Sequence, residues 1–374
     1  MKKTKVIHIV EDLNIGGLER VIESIVIGLN RNKYDVEVWC LAKGGAIAEG
    51  LIRKGINLKI LGMSSYYNPL NILKLSCYLK NSRLKIIHLH GYFGNTFGRL
   101  SAVLARVPLK ISHVHTTYYN LKKRNILIEK ILAYFTDKII CISKATKKFV
   151  EEFEGISGKK TCVIYNGISP VGKLSYRTAV KRNSYNFSKD DIIAITVASL
   201  THHKGHRILI DSISLLSKKY LNLKLLIVGE GPLRATLESY VRDKGLSSTI
   251  IFTGEKNNVF PFLIISDLLI LSSIEREGLG LALIEAMAAG LPLIGSNLGG
   301  IPEVIENNVN GILITPGNSN SLAEAIERLI SNQILRDEMG KQGQRIYLEK
   351  FSGKIMLNKI ESLYDRLSNK YGNK

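Results

Sequence analysis

Short apolar runs alternate with longer mixed segments along almost the whole chain, and each pair reads as a strand followed by a helix. In the first half the runs Lys5–Val10, Tyr34–Leu41, Asn57–Leu61, Lys85–His90, Lys110–His115, Lys138–Ser143 and Lys160–Asn166 predict strands. In the second half Ile192–Leu200, Leu223–Gly229, Ile250–Gly254, Asp267–Ser273 and Pro292–Gly295 do the same. Helices are predicted over Glu19–Leu29, within Ser64–Leu84, up to about Ala105, over Asn120–Phe135 and Leu281–Ala289, and from Pro302. Three more follow over Asn318–Ser331, Leu335–Tyr347 and Phe351–Tyr371. Regular β-α alternation predicts an α/β fold built on parallel sheets. The segment Ser169–Asp191 is polar and lacks apolar periodicity, so it reads as a linker. The organisation expected is a domain over 1–170, a second over 190–350 and a terminal helix over 351–374.

The densest chemistry lies in Ser272–Ile305, SSIEREGLGLALIEAMAAGLPLIGSNLGGIPEVI. A strand runs into an acidic turn containing Glu277, Gly278, Leu279 and Gly280, and a helix then carries Glu285, eight residues after Glu277. Glycines let a ligand approach the backbone, and the N–H groups that open a helix suit oxygen-rich or anionic groups. Carboxylates repel phosphate but accept hydrogen bonds from sugar hydroxyls. The pair therefore suggests a polyhydroxylated ligand with its phosphates held elsewhere. The alternative is a solvated Glu285 and a Glu277 that merely favours the helix dipole.

Other loops add weaker signals. Gly16 and Gly17 stand where a strand becomes a helix, a place where backbone can cradle phosphate. Lys204 beside Gly205 offers a cation to a diphosphate. Gly229-x-Gly231 is no dinucleotide fingerprint, because Pro232 follows and Arg234 fills the third glycine's place. His113 and His115 are expected to face opposite ways and not to share a site. A single histidine at a strand end is more often structural than catalytic.

Composition sets limits. No uncharged apolar run reaches eighteen residues, so no membrane-spanning helix is expected, and the basic N-terminus enters a strand at once without a cleavable apolar region. A cytoplasmic chain is the expectation. Four cysteines, Cys40, Cys77, Cys141 and Cys162, lack CxxC spacing and are read as buried reduced thiols. The formal net charge of +20 is uneven: residues 1–175 hold 28 Lys/Arg against 12 Asp/Glu, a net of +16, and the remainder holds 24 against 20, a net of +4. That implies an anionic partner for the first half, either nucleic acid or an anionic membrane leaflet with a lipid diphosphate in it. The basic segment Asn120–Phe135 fits two readings. Its apolar residues Ile128, Ile131, Leu132 and Phe135 pack in the core, or they dip into a leaflet while Lys122, Lys123, Arg124 and Lys130 meet headgroups.

Taken together, Glu277-x7-Glu285 within EGLGLALIEAMAAGLP, the following GGIPEVI, the Lys204-Gly205 loop, the GEGP turn and the Gly16-Gly17 loop resemble the family-4 retaining glycosyltransferases of GT-B fold, of the bacterial capsular and exopolysaccharide type. The resemblance implies two Rossmann-like domains whose parallel sheets face each other across a cleft. It implies that Glu285 holds ribose hydroxyls, that Glu277 holds the donor sugar with the amides of Gly278, Leu279 and Gly280 beside it, and that Lys204, Gly16 and Gly17 meet the diphosphate. It places Gly254 near the nucleobase, Gly229 in the turn beside it, and His115 on the donor sugar, with His90 near the cleft. Ser143 matches the family's small-residue step. Ser199 stands where the family has a diphosphate-gripping Arg, a departure for which Arg207, His202 or His203 could compensate. Ser169 replaces the Asp of the family's NG-(I/V)-D strand end.

The implied activity is transfer of a sugar from a nucleotide donor, a UDP-sugar, to a lipid-linked saccharide at the inner face of the cell membrane. The chain contains no Asp-x-Asp, so metal independence and no cofactor are expected. Two other classes stay open. A sugar-nucleotide epimerase of the same fold would turn over donor without acceptor. A basic nucleic-acid-binding protein would need aromatic platforms among its Lys and Arg, which the sequence does not show.

Overall fold

The computed structural model describes residues 3–63, 68–118, 121–169, 182–185 and 187–372. Most of the segment read as a linker, and Asn120, lie outside the described residues. By packing the chain divides into two units, residues 1–167 with 353–374, and residues 168–352.

The first unit holds a seven-stranded sheet in the order β3-β2-β1-β4-β5-β6-β7. Its strands are β1 (Thr4–Val10), β2 (Tyr34–Cys40), β3 (Asn57–Ile60), β4 (Ile86–His90), β5 (Leu109–Val114), β6 (Lys138–Cys141) and β7 (Thr161–Val163). Every neighbouring pair is parallel. Parallel strands need crossovers that cover both faces of the sheet. That is why β4 is buried at every position, its two histidines included. The terminal helix Gly353–Gly372 belongs to this unit. Its Tyr364 is fully buried, and the Tyr34 hydroxyl donates to Asp365 at 2.7 Å.

The second unit holds a six-stranded sheet in the order β10-β9-β8-β11-β12-β13. Its strands are β8 (Ile192–Val197), β9 (Leu223–Val228), β10 (Ile250–Gly254), β11 (Leu268–Leu271), β12 (Leu293–Ser296) and β13 (Gly311–Ile314), all parallel to their neighbours. Both sheets run third, second, first, then fourth onward. In each, the order reverses beside the first strand, the point where α/β sheets open a crevice at their carboxyl edge.

The structure bears on one open reading and corrects one expectation. The basic helix, Lys123–Tyr134, does not bury its apolar stripe. Of the four residues named for the core only Leu132 is buried; Ile128, Ile131 and Phe135 are 40, 52 and 46% exposed, with Leu127 and Tyr134 beside them at 59 and 78%. The inward position instead carries Glu129, which pairs with buried Arg99 and accepts from Thr96 Oγ1 at 2.6 Å, both on the neighbouring helix Gly91–Leu104. A buried charge demands a partner, and here the ion pair decides which face turns inward. The cysteines are all free, but Cys77, on the helix Pro69–Asn81, is exposed. No helix of the described residues is long and apolar enough to cross a membrane.

Candidate functional site

In the second unit, β8 and β11 are neighbours at the order reversal, so the loops that leave them emerge side by side. The loop after β8 forms a short turn, His202–Lys204, closed by Gly205 at φ 68°. A Cβ on Gly205 would stand 2.1 Å from the Ser272 carbonyl oxygen. The two loops are also tied by the Ile274 amide donating to His203 O at 2.9 Å and by Ser272 Oγ donating to Lys204 O and Gly205 O at 3.2 Å each. This contact places Lys204 Nζ 2.6 Å from Glu277 Oε2, which also accepts from Ser273 Oγ at 2.9 Å. Both charged side chains are mostly shielded, 17 and 11% exposed.

The Gly299–Gly300 turn packs beneath Glu277. The Gly300 amide donates to Glu277 O at 3.0 Å, and a Cβ at either glycine would fall within 2.2 Å of a carbonyl oxygen, of Glu277 for Gly299 and of Gly278 for Gly300. Gly280, at φ 84°, caps the helix Leu281–Ala289, on which Glu285 is half-buried. Leu279 is 2% exposed, which leaves only its backbone for a ligand. On the other flank the Gly229 amide donates to Gly254 O at 3.1 Å, joining the turns that follow β9 and β10.

Ser199 is exposed and lies 3.3 Å from Thr201 Oγ1. Each residue named as its compensator has a partner: His202 pairs with Glu275 at 3.0 Å, His203 with Thr201 at 3.2 Å, and the Arg207 guanidinium lies 4.4 Å over the Tyr240 ring. Sequence reasoning passed over His206. It is 3% exposed, neither ring nitrogen has a partner among the described residues, and burial, then the charges of Lys204 and His203, lower its pKa to about 4. Its place two residues after Lys204 in THHKGH was the available signal.

The order reversal of the first unit lies between β1 and β4. A pocket of about 270 Å³ there is lined by Glu11, Asp12, Glu19, His90, Tyr92 and Tyr118, among others. Gly16 caps the helix Gly17–Gly28 in extended backbone, and Glu19 folds back over it: a Cβ at Gly16 would stand 2.2 Å from Glu19 Oε2. Burial raises the Glu19 pKa to about 7; its own backbone N–H opposes this, and Asp12 and Glu11 add to it. Carboxylates and aromatic rings at this edge suit sugar hydroxyls and ring faces. Ser143 caps the short helix Lys144–Lys148, accepting from the Thr146 amide at 2.9 Å.

Beneath this edge lie five histidines, four of them buried and His115 half-buried. The expectation that His113 and His115 face opposite ways is corrected: residues two apart on extended chain share a face, and their rings stack with centroids 4.0 Å apart. His90 Nε2 pairs with His8 Nδ1 at 3.0 Å, and His90 Nδ1 with His115 Nε2 at 3.1 Å. His88 Nδ1 pairs with the Tyr364 hydroxyl at 2.6 Å, and His88 Nε2 with His113 Nδ1 at 3.2 Å. Burial lowers the pKa of all five, to about 3 for His8 and His115, so the cluster is uncharged at neutral pH. Among the described residues two sets lie close enough to share a metal ion, His8 with His88 and His90, and His90 with His113 and His115. His90 belongs to both, yet its two nitrogens are already engaged by His8 and His115.

Residues 15–171 match the family model described as Glycosyltransferase Family 4, and residues 178–346 match Glycosyl transferases group 1. The capsular polysaccharide biosynthesis glycosyltransferase CapH of Staphylococcus aureus is 29% identical over 75% of this chain and 78% of its own length. The UDP-Gal:alpha-D-GlcNAc-diphosphoundecaprenol alpha-1,3-galactosyltransferase of Escherichia coli is 26% identical over 98% of each chain. Among solved structures, Anabaena HepE in complex with UDP and glucose superposes with a TM-score of 0.84 at 21% identity, over 97% of this chain and 100% of that one. That likeness shows the GT-B fold.

Proposed function

Because the chain belongs to the family-4 glycosyltransferases, we propose that it transfers a sugar from a UDP-sugar to a lipid-linked saccharide, with retention at the anomeric carbon, in the making of a bacterial surface polysaccharide. The observation that carries the reading is the Lys204–Glu277 pair at the order reversal of the second sheet. It sets a cation for a diphosphate beside a carboxylate for sugar hydroxyls, at the edge where such sheets take ligands. The names of the S. aureus and E. coli relatives support the pathway, the uridine donor and the lipid diphosphate acceptor.

In this reading Glu285 takes the ribose hydroxyls, Glu277 the sugar hydroxyls, and Lys204 the diphosphate. The bond from the anomeric carbon to the phosphate oxygen breaks, and its electron pair leaves with the nucleoside diphosphate. The acceptor oxygen bonds to the same face of the carbon, and its proton passes to the departing phosphate. Lys204 and the N–H groups that open the helix Leu281–Ala289 stabilise the charge that develops. No metal or other cofactor enters these steps. We assign the protein to the cytoplasmic face of the cell membrane, as a peripheral protein whose partners are nucleotide-sugar, acceptor and an anionic leaflet rather than nucleic acid. Support comes from the exposed Leu127, Ile131, Tyr134 and Phe135 next to Lys122, Lys123 and Arg124, an apolar and basic surface suited to headgroups.

The test is thermal stabilisation by UDP, GDP and ADP in EDTA, for wild type and Glu285→Ala. A ligand at 100 times its Kd stabilises by about 2.7 kcal/mol. Stabilisation by UDP alone, abolished in the variant, is the expected result. No shift with any nucleotide at saturation would overturn the reading.

A further inference from the structure

In the first unit the helices Pro69–Asn81, Gly91–Leu104 and Lys123–Tyr134 enclose a second pocket, of about 280 Å³. Its floor is buried Phe97 and Leu132, and its rim is the exposed Leu100, Ile128 and Ile131. The Arg99–Glu129 pair explains the gap. It anchors the basic helix through a carboxylate, so Ile128 and Ile131 line a space instead of filling one. Among the lining residues only Thr96 is polar, and its hydroxyl already donates to Glu129. Such a lining suits hydrocarbon, not a sugar or a phosphate.

This pocket adjoins the one at the carboxyl edge of the sheet, because Phe93 is a wall of both. Two chain segments lead from one to the other. On the helix Gly91–Leu104, Tyr92 lines the edge pocket, Phe93 lines both, and Leu100, about 10 Å further along, lines the apolar one. On the other segment Leu121 lines the edge pocket, exposed Lys122, Lys123 and Arg124 follow, and Ile128 and Ile131 line the apolar one. The order from the edge is a polar pocket, a set of cations and an apolar pocket. A saccharide joined through a diphosphate to a hydrocarbon chain has the same order.

Charge narrows the occupant. The three helices carry Lys74, Lys80, Arg99, Lys123, Arg124 and Lys130 against one carboxylate, Glu129, which is buried and paired. A second copy of the chain would set like charge against like, so the apolar rim fits an anionic amphiphile better than self-association. An anionic phospholipid satisfies the cations but has no saccharide for the edge pocket. We propose that the apolar pocket holds the prenyl chain of a lipid diphosphate acceptor, with the diphosphate at Lys122, Lys123 and Arg124 and the saccharide at the carboxyl edge. The proposal rests on the transferase reading for the identity of the acceptor.

The experiment is calorimetric titration of the full chain with dimethylallyl, geranyl, farnesyl and geranylgeranyl diphosphate, each below its micelle concentration. Kd should fall with chain length, by about fourfold for each carbon buried, and level off by geranylgeranyl diphosphate, once the chain outruns the pocket. Ile131→Asp, which charges the rim, and Leu100→Trp, which fills the pocket with apolar bulk, should each weaken farnesyl diphosphate binding about tenfold or more. Lys123→Glu with Arg124→Glu should weaken every chain length alike. Ile52→Asp, at an exposed apolar position outside the pocket, should change nothing. A Kd independent of chain length, or unchanged in both pocket variants, would overturn the proposal. Lysophosphatidylglycerol bound as tightly as farnesyl diphosphate would assign the pocket to bulk membrane lipid, and a wild-type dimer abolished by Ile131→Asp would assign it to a second copy; either result would overturn the acceptor assignment. Chain-length-dependent binding by a protein that transfers no sugar would count against the transferase reading and leave the pocket standing.

Discussion

Lys204 Nζ stands 2.6 Å from Glu277 Oε2, although the two residues are 73 positions apart. Each neutralises the other, so a ligand that takes one must offer the other a new partner. A sugar diphosphate does both, with an anion for Lys204 and hydroxyls for Glu277.

Replacing Lys204 should therefore harm more than binding. Lys204→Ala leaves the Glu277 carboxylate shielded with Ser273 Oγ as its remaining donor. We expect a stability loss of about 1–3 kcal/mol by denaturant melts and a fall in kcat of about 10²–10³-fold. Glu277→Gln keeps the shape and should retain the melting midpoint more closely while losing comparable activity. Equal melting midpoints for Lys204→Ala and wild type would show the pair to be energetically idle.

The turn beneath the pair should resist the smallest added group. At Gly300, φ is −86°, so alanine suffers no backbone strain there, but its Cβ would meet the Gly278 carbonyl at 2.2 Å. Gly300→Ala should lower the melting temperature and displace the Glu277 loop. Gly50→Ala is the control. It lies within the helix Ala46–Arg53 with open space around it and should gain about 0.5–1 kcal/mol. Calorimetry of both variants checks the contrast.

Acid should destabilise the protein steeply. Folding lowers the histidine pKa values, to about 3 for His8 and His115 and about 4 for His206, from 6.5. Above pH 6.5 neither state is protonated and the full stability is present. Below it the unfolded chain takes up protons that the native one refuses, so stability falls as pH drops toward the folded values. Each such group contributes about 1.4 kcal/mol per pH unit in that window. Urea melts from pH 7 to pH 5 should show the decline together with proton uptake on unfolding.

Glu154 works in the opposite sense. Burial first, then the charge of Glu129, raises its pKa from 4.5 to about 8. Its contribution is present below pH 4.5 and is lost as pH rises toward the folded value, because the unfolded chain ionises first. Glu154→Gln should raise the melting temperature at pH 8.5 and change it little at pH 4. A destabilised variant at pH 8.5 would contradict this.

The helix Lys123–Tyr134 supplies a test of the proposed leaflet contact. Lys123→Glu with Arg124→Glu, and separately Tyr134→Ser, should weaken sedimentation with vesicles containing phosphatidylglycerol. Folding should be unchanged in both, since these residues are exposed. Arg99→Ala should instead unfold the region at a cost of about 3–5 kcal/mol, because it strands Glu129 as a buried charge. Equal vesicle binding by all surface variants would remove the helix from the proposal.

The apolar runs and their turns placed twelve of the thirteen described strands, although β7 is shorter than its run and β13 was missed, and Leu281–Ala289 lies where periodicity places it. Local pattern suffices there because a buried parallel strand is mostly apolar and Gly290, in left-handed backbone, ends the helix. What the pattern could not decide was which face is covered and which distant loops meet. Helical spacing marks Ile128 and Ile131 as a stripe, but only the packed neighbour shows that Arg99 draws Glu129 inward in their place. Likewise, single histidines along the chain give no sign of a cluster. The cluster exists because β1, β4 and β5 are adjacent, with His8 opposite His88 and His90 opposite His113. The Lys204–Glu277 pair has the same origin. Strand order sets β8 against β11, and only that order brings together two loops the sequence keeps 73 residues apart.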